Sequence, residues 1–193
     1  MLATLRHPIV RAGLISSSTH IAGDLLCQSI RAARAGPADK EALNWRQTAR
    51  FGLIGLAFHG PYFYNAFRWL DATLGPSVTF QRAALKSLTG QVTVFPVYLA
   101  SFFVLMGTLE GLQPQQCAAK VQAALVPTWV AGSAFWPVVN TINFRVISTP
   151  LGRLVFANVA GLIWNTYLSY TNSTRGALVA AAGADGISGG KDS

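Results

Sequence analysis

The sequence predicts an all-α membrane protein, a polytopic bundle of four to five helices. Three observations lead there. Charged residues make up 11% of the 193-residue chain and hydrophobic residues 51%, whereas a soluble domain carries about 25% charge to coat its surface. Mean hydropathy is positive, at +0.38. Uncharged stretches also recur at the length of a helix that crosses hydrocarbon, roughly 20 residues at a rise of about 1.5 Å each. A disordered chain is excluded, because it could not contain this much apolar and aromatic sequence.

The first candidate helix, residues 12–30, is the most polar, with His20, Asp24 and Gln28 inside it. The second, 51–67, is closed by Arg68 and Asp71. Three longer stretches, 87–109, 121–144 and 154–174, hold no charged residue. Strands are excluded, because the runs do not alternate apolar with polar and bare backbone in lipid must pair internally. Gly36-Pro37, Leu74-Gly75-Pro76, Gln113-Pro114 and Ser148-Thr149-Pro150 mark the connections. The bundle therefore occupies residues 1–174, followed by a disordered Gly/Ala-rich tail over 175–193. The start has Arg6 and Arg11 but no acid before Asp24, a weak likeness to a transit segment; because the first helix begins inside it, uncleaved internal targeting is expected.

Basic residues split eight against seven between the two sides if all five helices cross, and ten against five if the first does not. The second arrangement is favoured, with both termini on the basic side.

Polar groups inside apolar helices carry the functional information. Ser16, His20, Asp24 and Gln28 recur every four residues and form one stripe. A buried Asp costs roughly 2.5–3.5 kcal/mol on insertion scales, so Asp24 needs a partner. His20 is the nearest, and a base from another helix is the alternative. The stripe reads either as interhelical glue or as the wall of an aqueous path. The last helix presents Asn158, Asn165 and Asn172 seven residues apart, with Ser169 on the same side; the helix before it presents Ser133, Asn140 and Asn143 around Pro137. Gly52, Gly55 and His59 share a face ahead of Pro61, and Pro96 predicts a kink in the third. With these faces turned inward, the interior is narrow, wettable and nearly neutral, which suits small polar solutes better than an ion path with rings of like charge.

Trp45, Tyr62, Tyr64, Trp69, Trp164, Tyr167 and Tyr170 cluster near helix ends, and interfacial anchoring is expected for most of them. Basic residues do not cluster with aromatics on one face, so nothing points to nucleic acid; the formal charge of +8 reads as loops resting on anionic headgroups of a lipid bilayer. Cys27 and Cys117 have neither metal nor redox spacing and read as packing residues. His20 and Asp24 could form a general base and its orienter, but no nucleophile or phosphate-loop motif accompanies them. Even with His59 they fall short of a metal ligand set. No catalytic residue, metal or cofactor is expected.

Further motifs fall into a recognisable order. Pro8 and "GDLLCQ", with Gly23, Asp24 and Gln28, come first. "NWRQTARFGLIGLAFHGP" follows with Arg46, Arg50, Gly55, Gly60 and Pro61, and "RWLD" ends in Leu70 and Asp71. Lys86, Gln91 and Pro96 come next, then "FWPVVNTINF" with Trp136, Pro137, Asn143 and Phe144, and "WNTYLS" with Trp164, Tyr167, Leu168 and Ser169. In these the chain resembles the Mpv-seventeen / peroxisomal membrane protein of twenty-two kilodaltons family, from about Pro8 to Ser169. It departs from the family pattern at Asn44, Gly90, Tyr64, Ala66, Phe67 and Asn140, and the proline and arginine after Asn143-Phe144 are displaced to Pro150 and Arg153, which marks a divergent member. The resemblance implies a four-spanning helical bundle in the mitochondrial inner membrane, or alternatively the peroxisomal membrane. It also implies a channel-like role for small solutes and ions, linked to metabolite and redox balance, and homo-oligomers. The competing expectation is a structural or assembly factor of the membrane or of a membrane complex.

Overall fold

The computed structural model describes residues 7–34, 42–76 and 79–188, with side chains described as far as Thr174. Among these residues the fold is all-helical, with five rods running alternately up and down. The first is α1, Pro8–Arg34. Pro8 opens it, where a missing N–H costs nothing, and Arg31 and Arg34 close it, where the helix dipole favours cations.

The second rod covers 45–74: α2 Trp45–Ile54, one π-helical turn Gly55–His59, and α3 Gly60–Leu74. Asn44 caps α2, its side chain accepting from the Gln47 amide at 3.0 Å. The π turn precedes Pro61, which has no amide to donate, and the Gly60 amide reaches back to the Gly55 carbonyl. The turn lies against α1. A Cβ on Gly60 would sit 2.4 Å from the Ala12 carbonyl oxygen, so only glycine permits this crossing.

The third rod is α4 Phe80–Val92 and α5 Val94–Glu110, broken at Thr93. The break lies three residues before Pro96, where a kink is expected. The Gln91 carbonyl accepts from the Trp129 indole at 3.0 Å instead of continuing a regular helix. The fourth, α6 Pro114–Val146, starts in a capping box between Gln113 and Gln116 and contains Pro127 and Pro137. The fifth is α7, Pro150–Ser188. Its backbone continues into the segment expected as a disordered tail, where Ala177 and Ala180 to Ala182 are strong helix formers; residues 189–193 lie outside the described residues.

The first helix is a full member of the bundle. It packs along α7 and along the 45–74 rod, which brings the count to five helices and puts the two ends of the described chain at opposite ends of the bundle. By length and apolar character one helix, Phe80–Glu110, meets a strict criterion for a membrane span among the described residues. The others carry the polar residues that face inward.

Polarity is distributed inside out. Lys86 and Lys120 are 0% exposed, while Val159 and Ile163 are 74% and 73% exposed. Exposed Val, Leu and Ile side chains occur on every rod. The main core is aromatic, with Phe51, Phe95, Tyr98, Phe102, Phe103 and Trp164. A smaller one joins Phe67, Leu70, Phe144 and Leu154 toward the opposite end.

Candidate functional site

Asp24 is fully buried and accepts four hydrogen bonds. On Oδ1 the donors are Gln47 Nε2 at 2.5 Å and Ser169 Oγ at 2.6 Å; on Oδ2 they are Gln28 Nε2 at 2.7 Å and Thr48 Oγ1 at 2.6 Å. The donors are themselves held in place. Gln28 Oε1 accepts from the Asn44 amide at 2.6 Å, and Gln47 Oε1 from Ser173 Oγ at 3.1 Å. Neither His20 nor a basic side chain partners Asp24, contrary to expectation: amides and hydroxyls of α1, α2 and α7 disperse its charge. Charge-assisted bonds to an ionised acceptor contribute about 1.5–3 kcal/mol each, so neutral donors in this number can hold a carboxylate without a counter-ion.

Two ion-pair clusters mark the bundle's ends. At one, Asp71 accepts from Lys86 Nζ at 2.6 Å and from Arg153, whose Nε also donates to the Ile147 carbonyl at 2.8 Å. Both cations face the Phe144 ring, at 5.0 Å for Arg153 and 5.6 Å for Lys86. At the other end Glu110 accepts from Lys120 Nζ at 2.5 Å and from Asn172 Nδ2 at 2.8 Å. Lys120 lies just ahead of the apolar stretch 121–144. Burial lowers its pKa below the ordinary lysine value, with the Glu110 contact opposing that shift.

Between these ends lies a partly enclosed cavity of about 50 Å³, bounded by the π turn, α3, α4, α5, α6 and α7. His59, Tyr98, Trp136, Asn140, Asn158, Trp164 and Asn165 line it, together with Phe63, Phe67, Phe95 and Phe144. Five of these residues carry a buried polar atom with no protein partner: Tyr98 Oη, Trp136 Nε1, Asn140 Oδ1, Asn158 Oδ1 and Trp164 Nε1. An unsatisfied buried group costs about 1–3 kcal/mol, and five of them belong to residues around this one void. His59 joins the cavity to α1: its Nδ1 lies 3.1 Å from Ser16 Oγ, which also accepts from Asn158 Nδ2 at 3.2 Å, and its ring is 4.5 Å from that of His20. His20 itself bonds the Ser16 carbonyl at 2.9 Å.

Phe144 is a shared wall. It lines the cavity on one side, and on the other an open cup formed with Asp71, Arg145, Ile147, Ser148 and Arg153. Phe67 meets its ring nearly perpendicularly at 5.7 Å.

The sequence-derived residues therefore separate into groups. His59, Asn140, Asn158 and Asn165 meet at the cavity; Asp24 and Gln28 close the α1–α2–α7 joint, and His20 abuts His59 from α1. Asn143 lies in neither, its Nδ2 donating to the Arg153 carbonyl at 3.1 Å. Among the motif residues, Gly23 packs against Asn165, while Trp136, Trp164 and Phe144 reach the cavity. Trp164, expected at the interface, is buried, as its place in the aromatic core requires; Trp45, Trp69 and Tyr170 are exposed. Pro137 offers its carbonyl to Ser87 Oγ at 2.9 Å and Thr141 Oγ1 at 2.6 Å. Arg46 is exposed and Arg50 half-buried. Tyr167 stacks near Trp164 at 5.0 Å. Sequence reasoning missed Gln47 and Thr48, which stand in a segment read as a connection, and Tyr98, a lone phenol in the most apolar helix. Cys27 and Cys117 are free and buried. Among the described residues no three of His, Cys, Asp and Glu converge, so nothing in them fits a metal ligand set.

Residues 107–169 match the model of the Mpv17 / PMP22 family. The chain is 32% identical to the mitochondrial inner membrane protein Mpv17 of Danio rerio over 166 residues, 86% of this chain and 90% of that one. The chain belongs to the Mpv17 / PMP22 family. Other members are similar over comparable lengths. PXMP2/4 family protein 4 of Dictyostelium discoideum is 30% identical over 88% of this chain and 89% of its own, and protein SYM1 of Saccharomyces cerevisiae is 30% identical over 67% and 68%. No solved structure matches. As an Mpv17 / PMP22 member the chain is an organelle-membrane protein.

Proposed function

We propose that this protein is a polytopic bundle of the mitochondrial inner membrane that lets small polar solutes across and so supports metabolite and redox balance. One observation carries the reading: residues with five unpaired buried polar atoms line one cavity in a bundle that exposes apolar side chains on every rod. Lipid is the solvent that makes such an exterior stable, and water or a solute satisfies such an interior. The relative named as a mitochondrial inner membrane protein supports the compartment, with the peroxisomal membrane as the alternative. The route runs from the charged cup past Phe144 into the cavity.

Reconstitution into liposomes tests it. The purified chain is expected to pass solutes in order of size, small ones fastest, and Phe144→Ala to raise flux several-fold by joining cup and cavity. Well-folded protein that leaves every graded solute outside would defeat the proposal. A second reading, a structural or assembly factor without transport, is favoured by the Asp24 joint, whose polar groups are all consumed in holding three helices. A fixed partner co-purifying in constant ratio, with no solute flux, would select it. Homo-oligomerisation is compatible with either reading and is measured by the mass of the detergent-solubilised particle.

A further inference from the structure

The solute-passage reading leaves open what occupies the cavity and whether it is held or merely passes. We infer that the cavity is a binding site for one small uncharged solute that both donates and accepts hydrogen bonds, such as a simple amide or polyol. The inference rests on the proposed function for its setting, but its evidence is the chemistry of the wall.

Two kinds of unpaired group belong to the residues that line one void. Trp136 Nε1 and Trp164 Nε1 can only donate; Asn140 Oδ1 and Asn158 Oδ1 can only accept; Tyr98 Oη can do either. A ligand that satisfies the set must present a carbonyl or hydroxyl oxygen to the indoles and N–H or O–H groups to the asparagines. Among the described residues that line the cavity, none is Asp, Glu, Lys or Arg. A bare ion would therefore lose its hydration with no countercharge to replace it. Aromatic rings on several sides complete a wall that accepts an uncharged organic body. The volume of about 50 Å³ corresponds to roughly three to five water-sized groups, which fits acetamide closely and glycerol tightly. Phe144 separates this space from the cup, its ring held by Arg153, Lys86 and Phe67. A binding site fills and empties, so transport through it should saturate.

The test uses the full chain in two formats. In detergent, the indole N–H resonances of Trp136 and Trp164 are followed by NMR as acetamide, then glycerol, is added. Saturable shifts are expected with both, absent with potassium chloride, and weakened at least fivefold in Trp164→Phe. Asn140→Leu, on α6 rather than α7, should weaken acetamide by a similar factor, which keeps the test usable if Trp164→Phe misfolds. Indole resonances that do not respond, or respond equally to salt, overturn the inference; water alone then fills the space. In liposomes, acetamide flux should level off with concentration and be slowed by glycerol. Flux that stays linear, or potassium chloride that passes as readily as acetamide, would mean an open aqueous pore and would also overturn it. If no solute crosses but the indoles still shift saturably, the transport reading falls and the binding site stands.

Discussion

The Asp24 joint and the central cavity both gather buried polar side chains from several helices, glutamine and serine among them, yet their hydrogen bonding ends differently. Around Asp24 the acceptors meet donors, the shell closes on itself, and the carboxylate is held by α1, α2 and α7 at once. Around the cavity five polar atoms have no protein partner. A closed network rigidifies, whereas an open one stores hydrogen-bonding capacity for something that is not part of the chain. Burial and residue type alone do not distinguish glue from a binding wall; satisfaction does.

That contrast can be attacked by mutation. Asp24→Ala should have the largest effect, because it strands the donors of Gln28, Gln47, Thr48 and Ser169 together. A loss of about 3–5 kcal/mol is expected, read as a large fall in the thermal midpoint in detergent, while any folded fraction keeps its solute preference. A change of preference without loss of stability would move Asp24 from the joint to the path. Asp71→Asn comes next. It leaves Lys86 and Arg153 against Phe144 without their shared carboxylate, and because Asp71 is partly exposed the expected cost is about 2–3 kcal/mol, with faster flux through a loosened wall. Gly60→Ala must displace the Ala12 backbone, which lies 2.4 Å from the new Cβ. Overpacking of this kind costs about 1–3 kcal/mol, visible in the same unfolding assay. Asn158→Leu should have the smallest effect on stability, a net change within about 1 kcal/mol, because the orphaned Oδ1 removed offsets the bond lost to Ser16. It should still cut solute flux severalfold. Destabilisation by Asn158→Leu as large as that by Asp24→Ala would erase the distinction between the two regions.

Much of the frame was legible in residue order. Four-residue spacing placed Ser16, His20, Asp24 and Gln28 on one face, and seven-residue spacing did the same for Asn158 and Asn165, because a helix repeats every 3.6 residues whatever surrounds it. Pro96 announced irregular backbone through the amide it lacks, and the structure shows a break just ahead of it; the π turn before Pro61 was not foreseen. The partner of Asp24 was not legible: Gln47, Thr48 and Ser169 are ordinary polar residues until three helices bring them to one point. Nor was the burial of Trp164, since a tryptophan near a helix end satisfies the rule for an interfacial anchor equally well.

Alone, the order of residues determined that the chain forms apolar helices with inward polar stripes, since periodicity and hydropathy are properties of a helix taken singly. Only tertiary structure decided which stripe became a joint and which a cavity wall, and that Phe144 stands between cup and void. Pairing is a property of two or more helices in fixed register, and contacts such as Asp71 with Arg153 or Asp24 with Ser169 join positions far apart in the chain.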